Sequence, residues 1–526
     1  MSSEAPHRDQ QDEGASIFDA PHHGLRGRFA GGAVFTLASQ AIRLLVQIAA
    51  LAILSRLLAP ISFGIMAMAS PVFLFAFLLQ EAGLTQATVQ KAVLTQQQAS
   101  NMFWASATLG AAVALLLAAA APLVSLFYHD GRVGQILLAS APAAVVLGMG
   151  NQYRALLQRK MMFRQAAIRD IVGVIAGMAA AVICAIIWRN YWALYAWNTT
   201  SVVVTTVGTM LATRWMPSLP RRDPEFKKML GFGAGVGGYF LANFITRNMD
   251  NVLIGRRWGG AALGLYDRGY RMLLFPLQQI NQPIMQVMVP TLSKLSNEAE
   301  RYRQAYLRVM RVLLMVTVPG ILALYLLADW VVPLVLGPQW MGVVPIFRNL
   351  ALAGAMQTFS APLGALFITQ GRTTQFARWG VFSAVVCTAA FLIGLPWGPT
   401  GVALAYALEE TFFRMPLYWW YATREGAVRL RDLGSLGAPF TLAAVASGLL
   451  MEGGRLFWSP PHPFLGLAIY GPACYAAFWG VMALFPSGRA TLEAGTGLVL
   501  DFARMLLRSF RPSAGAEPAG AKGGDH

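Results

Sequence analysis

Residues 30–54 read AGGAVFTLASQAIRLLVQIAALAIL, an apolar run of 25 residues with a single charged side chain, Arg43. As an α-helix this run is about 37 Å long, which exceeds the ~30 Å hydrocarbon core of a bilayer. It therefore predicts a transmembrane helix. Similar runs lie near 63–84, 103–127, 134–153, 168–188, 192–213, 229–254, 263–289, 308–328, 345–369, 376–396, 399–421, 437–452 and 464–485. The chain is predicted to be an all-α polytopic membrane protein with about fourteen crossings.

The composition agrees with that prediction. Of 526 residues, 56% are hydrophobic and 12% are charged, whereas soluble domains carry about 25% charged residues. The formal net charge of +17 does not indicate nucleic-acid binding, because the basic residues fall in short segments between apolar runs, as orientation signals do. The three cysteines lie inside apolar runs and the histidines lack ligand spacing, so we expect no disulfide, metal or cofactor.

The placement of Lys and Arg predicts that both termini are cytoplasmic. Because the start of the chain is polar, we expect no cleavable signal there. We expect four segments outside the spans: a disordered N-terminus at 1–25, a cytoplasmic linker at 214–228, an amphipathic interfacial helix at 490–511 and a disordered tail at 512–526.

Two series of six spans suggest an internal repeat. Ser55–Gly64 (SRLLAPISFG) is matched by Gly255–Gly264 (GRRWGGAALG), each following the first span of its series. An even number of spans per repeat makes the two copies parallel, related by an axis along the membrane normal. We expect an N-lobe at 26–213 and a C-lobe at 229–422 around a central cavity, with two extra helices at 437–485.

Charges at membrane depth are the candidate functional residues. Arg43 shares a helix face with Gln40 and Gln47, and the seventh span carries Asn243 and Arg247. Lipid does not tolerate such stripes, so they are expected to face a cavity or a protein interior. Guanidinium groups around a wet cavity suit an anion such as a phosphate.

Two alternatives remain open for these arginines. Arg247 is placed to form an internal pair with Asp250 that only stabilises the fold. Arg271 and Arg348 lie nearer the interfaces, where snorkelling explains them equally well.

Acidic residues at depth are candidates for ion coupling. Glu409 and Glu410 lie near the middle of the twelfth span, and Asp250 lies in the seventh. Glu410 precedes Arg414 by four residues, a spacing that favours a structural ion pair. A desolvated carboxyl group there would instead be suited to carry a proton.

With these features the chain resembles the Wzx-type flippases of the multidrug/oligosaccharidyl-lipid/polysaccharide exporter superfamily. The resemblance rests on Arg56–Gly64 (RLLAPISFG), Glu81–Gln90 (EAGLTQATVQ), Asn248–Gly255 (NMDNVLIG), Leu263–Tyr266 (LGLY) and Val289–Leu292 (VPTL), and covers about residues 28–485. Ile61–Ser62 departs from the acidic residue that often precedes Phe-Gly there, at a loop position.

The resemblance implies two lobes around a cavity that opens alternately to either side of a bacterial inner membrane. Its expected cargo is an undecaprenyl-diphosphate-linked oligosaccharide for exopolysaccharide, capsule or O-antigen synthesis. Arg43 and Arg247 would then hold the diphosphate, and a polysaccharide polymerase and a chain-length regulator are the expected protein partners.

Two other functional classes fit the residues less well. A multidrug cation antiporter of the same superfamily would be expected to have a cavity dominated by acidic and aromatic groups, whereas Arg outnumbers acid on the inner faces here. A membrane glycosyltransferase or polymerase usually needs a large outer loop, and the outer loops here are short. A transporter without enzymatic activity is therefore preferred.

Overall fold

A computed structural model describes residues 25–80, 85, 88, 89, 91, 94–221, 237–458, 460, 462–486, 488, 489, 492 and 493. The side chains of 25–38 and 237–247 are not among those described. The N-terminus predicted at 1–25, most of the linker, the interfacial helix at 490–511 and the tail at 512–526 therefore lie almost wholly outside the described residues.

The first half of the chain consists of helices joined by short turns. They are α1 Leu25–Leu57, α2 Pro60–Gln80, α3 Gln96–Tyr128, α4 Gly131–Arg159, α5 Phe163–Trp188 and α6 Trp192–Thr213. Side chains cap two of the helix starts. Thr95 forms a capping box at α3, and the Asp130 carboxylate accepts from the Arg132 backbone N–H at α4.

The second half of the chain also consists of long helices, but they are interrupted more often. Its helices are α7 Gly237–Lys294, α8 Ala299–Leu326, α9 Ala328–Val335, α10 Val343–Thr369, α11 Thr373–Gly394, α12 Gly398–Leu408, α13 Met415–Thr423, α14 Leu430–Phe457 and α15 Pro463–Leu484. A 3₁₀ turn at Pro338–Trp340 follows α9, and a π-helical segment at Glu409–Arg414 joins α12 to α13.

The prediction of an all-α polytopic membrane protein is confirmed. Ten stretches of the described residues are long and apolar enough to cross a bilayer. One of them, Thr373–Thr423, contains α11, α12 and α13 and turns at Gly398, whose φ is +75°. The 58 residues of α7 likewise break at Gly259, whose φ is +79°. The count of fourteen crossings stays a prediction.

The chain forms two compact units. The first consists of three segments: the chain up to Pro276, Ala328–Ala353 and Arg372–Pro416. The second consists of Leu277–Leu327, Gly354–Gly371 and the chain from Leu417 onward. The lobe boundaries expected from the repeat remain predictions.

Small residues let α5 and α6 approach closely within the first unit. Gly173 and Gly177 form a G-x-x-x-G pair on α5. A Cβ atom on Gly173 would overlap the Thr205 hydroxyl, and one on Gly177 would overlap the Ser201 hydroxyl. This is the small-residue packing that membrane helices use where no hydrophobic driving force brings them together.

Side chains of α3 hold the beginning of the linker. The Asn101 amide donates to the Arg221 carbonyl (2.7 Å) and accepts from the Arg221 backbone N–H (3.0 Å). Trp104 Nε1 donates to the Ser218 carbonyl (2.9 Å), and the Trp215 ring packs edge-on against Phe103. The described part of the linker is therefore bound along α3.

In the second unit the two C-terminal helices pack on α8. Arg303 of α8 forms a bidentate pair with Asp432 of α14, with N–O distances of 2.9 and 2.7 Å. At the other end of α8, Arg455 of α14 donates to the Leu326 carbonyl. Contacts at both ends hold α14 along α8.

We predict that Gly177→Ala destabilises the protein by about 1–3 kcal/mol, because the added methyl group enters a filled contact. The thermal midpoint of the purified protein measures the loss. Gly380→Ala is the matched control, because nothing lies within 4 Å of an added Cβ there; it should be neutral or slightly stabilising. Equal midpoints for the two variants would contradict close packing at Gly177.

Candidate functional site

A cationic cluster in the first unit joins α1, α5 and α6. Arg43 Nη1 lies 4.0 Å from Asp170 Oδ2, and Arg169 Nε lies 3.3 Å from Asp170 Oδ1. Arg169 Nη1 also donates to Thr209 Oγ1 (2.6 Å). Two guanidinium groups thus share one carboxylate, which gives the cluster a net positive charge. Arg154 lies within electrostatic range of Arg169.

The predicted stripe on α1 is accessible. The Arg43 side chain is 37% exposed, and Gln40 and Gln47 are exposed residues one turn away on either side. The 4.0 Å separation from Asp170 is the upper limit of an ion pair, so this contact does not enclose the guanidinium group. The Arg43 guanidinium group is therefore only partly neutralised by Asp170 and remains partly exposed.

The corresponding face of α7 is described only from Asn248 onward, so the side chains of Asn243 and Arg247, and the predicted pair of Arg247 with Asp250, lie outside the described side chains. Asp250 itself is buried. Its carboxylate accepts from the Tyr266 hydroxyl (3.1 Å) and the Asn251 backbone N–H (2.8 Å).

Arg271 belongs to a second cluster on α7. Asp267 lies between two arginines: Arg271 Nε donates to Oδ1 (2.8 Å) and Arg268 Nη2 to Oδ2 (2.8 Å). The Arg268 guanidinium also lies over the Phe63 ring of α2, 4.3 Å from its centroid. Arg271 is 57% exposed whereas Arg268 is 14% exposed. Arg268 is thus built into the fold, and Arg271 extends outward.

Arg348 has an acidic neighbour near the interface. Its Nη2 lies 3.4 Å from Asp329 Oδ1, and the adjacent Asn349 amide donates to the Thr400 carbonyl (3.3 Å). These contacts connect α9, α10 and α12. Arg348 thus has a specific ionic partner, which the snorkelling alternative alone did not predict.

The π-helical segment at Glu409–Arg414 gathers the predicted acidic residues around one arginine. Arg414 Nε donates to Glu409 (3.0 and 3.3 Å), and its Nη2 pairs with Glu410, which is fully buried. A π-helix closes i→i+5 contacts that an α-helix does not, so Glu409 and Glu410 both reach Arg414. The α-helical spacing of the sequence predicted only the second pair.

Neighbouring helices complete this acidic cluster. Arg414 also donates to Ser383 Oγ of α11 (3.1 Å) and to the Tyr406 hydroxyl (3.3 Å). Tyr266, the donor to Asp250, lies within electrostatic range of Tyr406. The three predicted ion-coupling residues therefore lie in one polar region of the first unit.

The three described arginines of the prediction are not brought together. Arg43 pairs across to α5, Arg271 pairs within α7, and Arg348 pairs with α9. Arg169 was missed by the sequence reasoning, although an Arg-Asp dipeptide inside an apolar run was a visible signal. Among the described residues, no group of three or more His, Cys, Asp or Glu is arranged to hold a metal ion.

Comparisons with known proteins agree with this architecture. The family described as polysaccharide biosynthesis protein matches residues 53–345, more than half of the chain. The chain is 22% identical over 389 residues to the lipopolysaccharide biosynthesis protein WzxC of Escherichia coli, covering 73% of this chain and 79% of that protein. It is 27% identical over 373 residues to the succinoglycan biosynthesis transport protein ExoT of Rhizobium meliloti, covering 71% and 75%.

A solved structure shares the fold. The lipid II flippase MurJ in an inward closed conformation superposes with a TM-score of 0.67 at 13% identity, over 85% of this chain and 98% of that one. At this identity the likeness establishes the fold but not the transported molecule.

We predict that Arg414→Met destabilises the protein by about 3–5 kcal/mol, because two carboxylates are left at depth without their cation. Thermal midpoint and membrane abundance measure the loss. The triple variant Glu409→Gln/Glu410→Gln/Arg414→Met should recover much of the stability, since it removes the whole charged set. Arg132→Ala, which breaks an exposed pair with Asp130, should cost less than about 1 kcal/mol. Similar losses for Arg414→Met and Arg132→Ala would contradict the buried cluster.

Proposed function

The chain belongs to the polysaccharide biosynthesis protein family, and from that premise we propose that it is a secondary transporter that flips undecaprenyl-diphosphate-linked oligosaccharides across the bacterial inner membrane by alternating access. The observation that carries the proposal is the family match over residues 53–345. It is supported by the names of relatives that act in lipopolysaccharide and succinoglycan synthesis. The products served would be exopolysaccharide, capsule or O-antigen.

The cationic cluster supplies a physical reason for a diphosphate cargo. Arg43 is accessible at membrane depth, and its cluster with Arg169 has one more positive charge than Asp170 can balance. A diphosphate group would neutralise that excess through charge-assisted hydrogen bonds to planar guanidinium forks. We propose that Arg43, Gln40 and Gln47 contact the head group, joined by Asn243, Arg247, Arg271 and Arg348 during the transport cycle.

The acidic cluster is proposed to couple transport to an ion. Glu409 and Glu410 place two carboxylates beside the one Arg414 cation, and Asp250 adds a third carboxylate that accepts hydrogen bonds from neutral donors. The excess of carboxylates over arginine is suited to take up a proton or another cation as the lobes change conformation. The remaining elements of the proposal are cytoplasmic termini and a polymerase and chain-length regulator as partners.

We predict that Arg43→Gln abolishes most surface polysaccharide export at unchanged membrane abundance, because it removes the accessible charge. Arg43→Lys separates two explanations: restored export means that charge alone suffices, and lost export means that the bidentate fork is required. Arg132→Ala is the control for a basic residue outside the cluster. Normal export by Arg43→Gln at normal abundance would exclude Arg43 from the cargo site.

We predict that Glu409→Gln and Glu410→Gln change the pH dependence of export, because glutamine cannot exchange a proton. Export is measured over a series of external pH values, with membrane abundance determined in parallel. Glu452→Gln, which replaces a half-exposed carboxylate of α14, should leave the profile unchanged. Profiles identical to that of the unaltered protein would remove both glutamates from the coupling step.

A further inference from the structure

The two segments that match in the sequence repeat contact one another. A Cβ atom added to Gly64 would overlap the carbonyl group of Gly260, and one added to Gly264 would overlap the carbonyl group of Pro60. Gly64 and Gly264 are 200 residues apart, and so are Pro60 and Gly260. The contact is therefore reciprocal: residue 64 meets 260 while residue 264 meets 60.

Reciprocity of this kind is the signature of a two-fold interface, in which the same patch of each copy meets the other. Here both copies lie in one chain. The helix breaks that precede the patches are also equivalent. Ala59 lies in the turn between α1 and α2, and Gly259 is the break inside α7. We call Pro60–Gly64 with Gly260–Gly264 the glycine seam.

The seam requires glycine because the backbones touch. An added Cβ would overlap backbone atoms, which cannot rotate away as a flexible side chain can. Small residues permit such close approach between membrane helices, and the gain is van der Waals contact over a short length. A contact built this way closes tightly, yet separates without breaking buried ion pairs.

Aromatic and amide side chains cover the seam. Trp340 is fully buried, its Nε1 donates to the Ser55 carbonyl (2.7 Å), and its ring meets Phe63 edge-on at 5.3 Å between centroids. Gln339 donates to the same Ser55 carbonyl (2.7 Å). Ser55 is 0% exposed, so a side chain at this position is shielded as long as these contacts are in place.

We propose that the glycine seam is the closing contact at the outer end of the cavity, and that it must separate in each transport cycle. The inference rests on the proposed function for its alternating access and its orientation. Gly64 and Gly264 occupy equivalent positions in the seam. A larger residue at either position is therefore expected to shift the protein toward the outward-open state.

Thiol accessibility tests the seam without reference to cargo. The three cysteines, Cys184, Cys387 and Cys474, are replaced by alanine, and Ser55→Cys is introduced. This site is suitable because the Ser55 hydroxyl is buried without a hydrogen-bond partner. A membrane-impermeant maleimide is applied to right-side-out and to inside-out vesicles, so the readout also reports the side on which Ser55 becomes accessible.

We expect Gly64→Ala and Gly264→Ala, each combined with Ser55→Cys, to raise maleimide labelling of the introduced thiol from the outer side by about tenfold, the shift that a modest overpacking cost produces in a two-state equilibrium. Gly380→Ala, where an added Cβ meets nothing within 4 Å, should leave labelling unchanged. Unchanged labelling in both seam variants at normal abundance would overturn the proposal.

A disulfide across the seam tests whether separation is required. An added Cβ on Gly260 would lie 3.4 Å from Ile61 Cγ1, so Ile61→Cys/Gly260→Cys should cross-link on oxidation. Export should fall in proportion to the cross-linked fraction and return after reduction. Full export by cross-linked protein would overturn the proposal. If the unaltered chain exports no polysaccharide, the proposed cargo fails, while the labelling result still decides the seam.

Discussion

The backbone of a chain in hydrocarbon must satisfy its hydrogen bonds internally, and the rest of this structure depends on that constraint. Helices satisfy it along their length, so the critical places are the helix ends and breaks. There side chains from elsewhere donate to the exposed carbonyls. Arg56 donates to Leu334, Trp258 to Leu395, Trp340 to Ser55, Arg455 to Leu326, and Arg159 to Thr88, Val89 and Lys91. Part of the basic excess therefore has a structural role beyond orientation in the membrane.

The clusters of charged residues within the helices differ in their ratio of arginines to carboxylates. Arg43 and Arg169 share one carboxylate, as do Arg268 and Arg271, whereas Arg414 is flanked by two. Because isolated ions at depth are costly, each group has a partner. The stoichiometry nevertheless leaves one region positive and another negative. A fully balanced set would stabilise the fold and do little else, whereas such imbalances among the described residues suit the binding of the charged cargo and the coupling ion that we propose.

Much of the fold could be predicted from local pattern, because span length and break residues are encoded locally. Pro60 and Gly259 mark the breaks that the structure contains. The partners of the charged residues could not be predicted in the same way. Asp170 reaches Arg43 only because α5 packs on α1, which no spacing reveals. The Glu409–Arg414 pair depends on a π-helical segment, and α-helical periodicity separates those two side chains. The linker was predicted as a segment outside the spans, but its binding to Asn101 and Trp104 depends on tertiary structure.

The two halves keep their likeness where backbone meets backbone and lose it at the polar positions of the first helix of each half. Gly64 has its counterpart in Gly264, because either Cβ would collide with the other half. At the same offset along the first helix of each half, Arg43 corresponds to Asn243 and Gln47 to Arg247. Strict symmetry at depth would offer two equal cationic sites. The proposed cargo has a single diphosphate and a chemically different sugar chain, so an asymmetric set of side chains is what it requires. Symmetry is thus retained by steric necessity at the seam and relaxed at the positions that we propose recognise an asymmetric molecule.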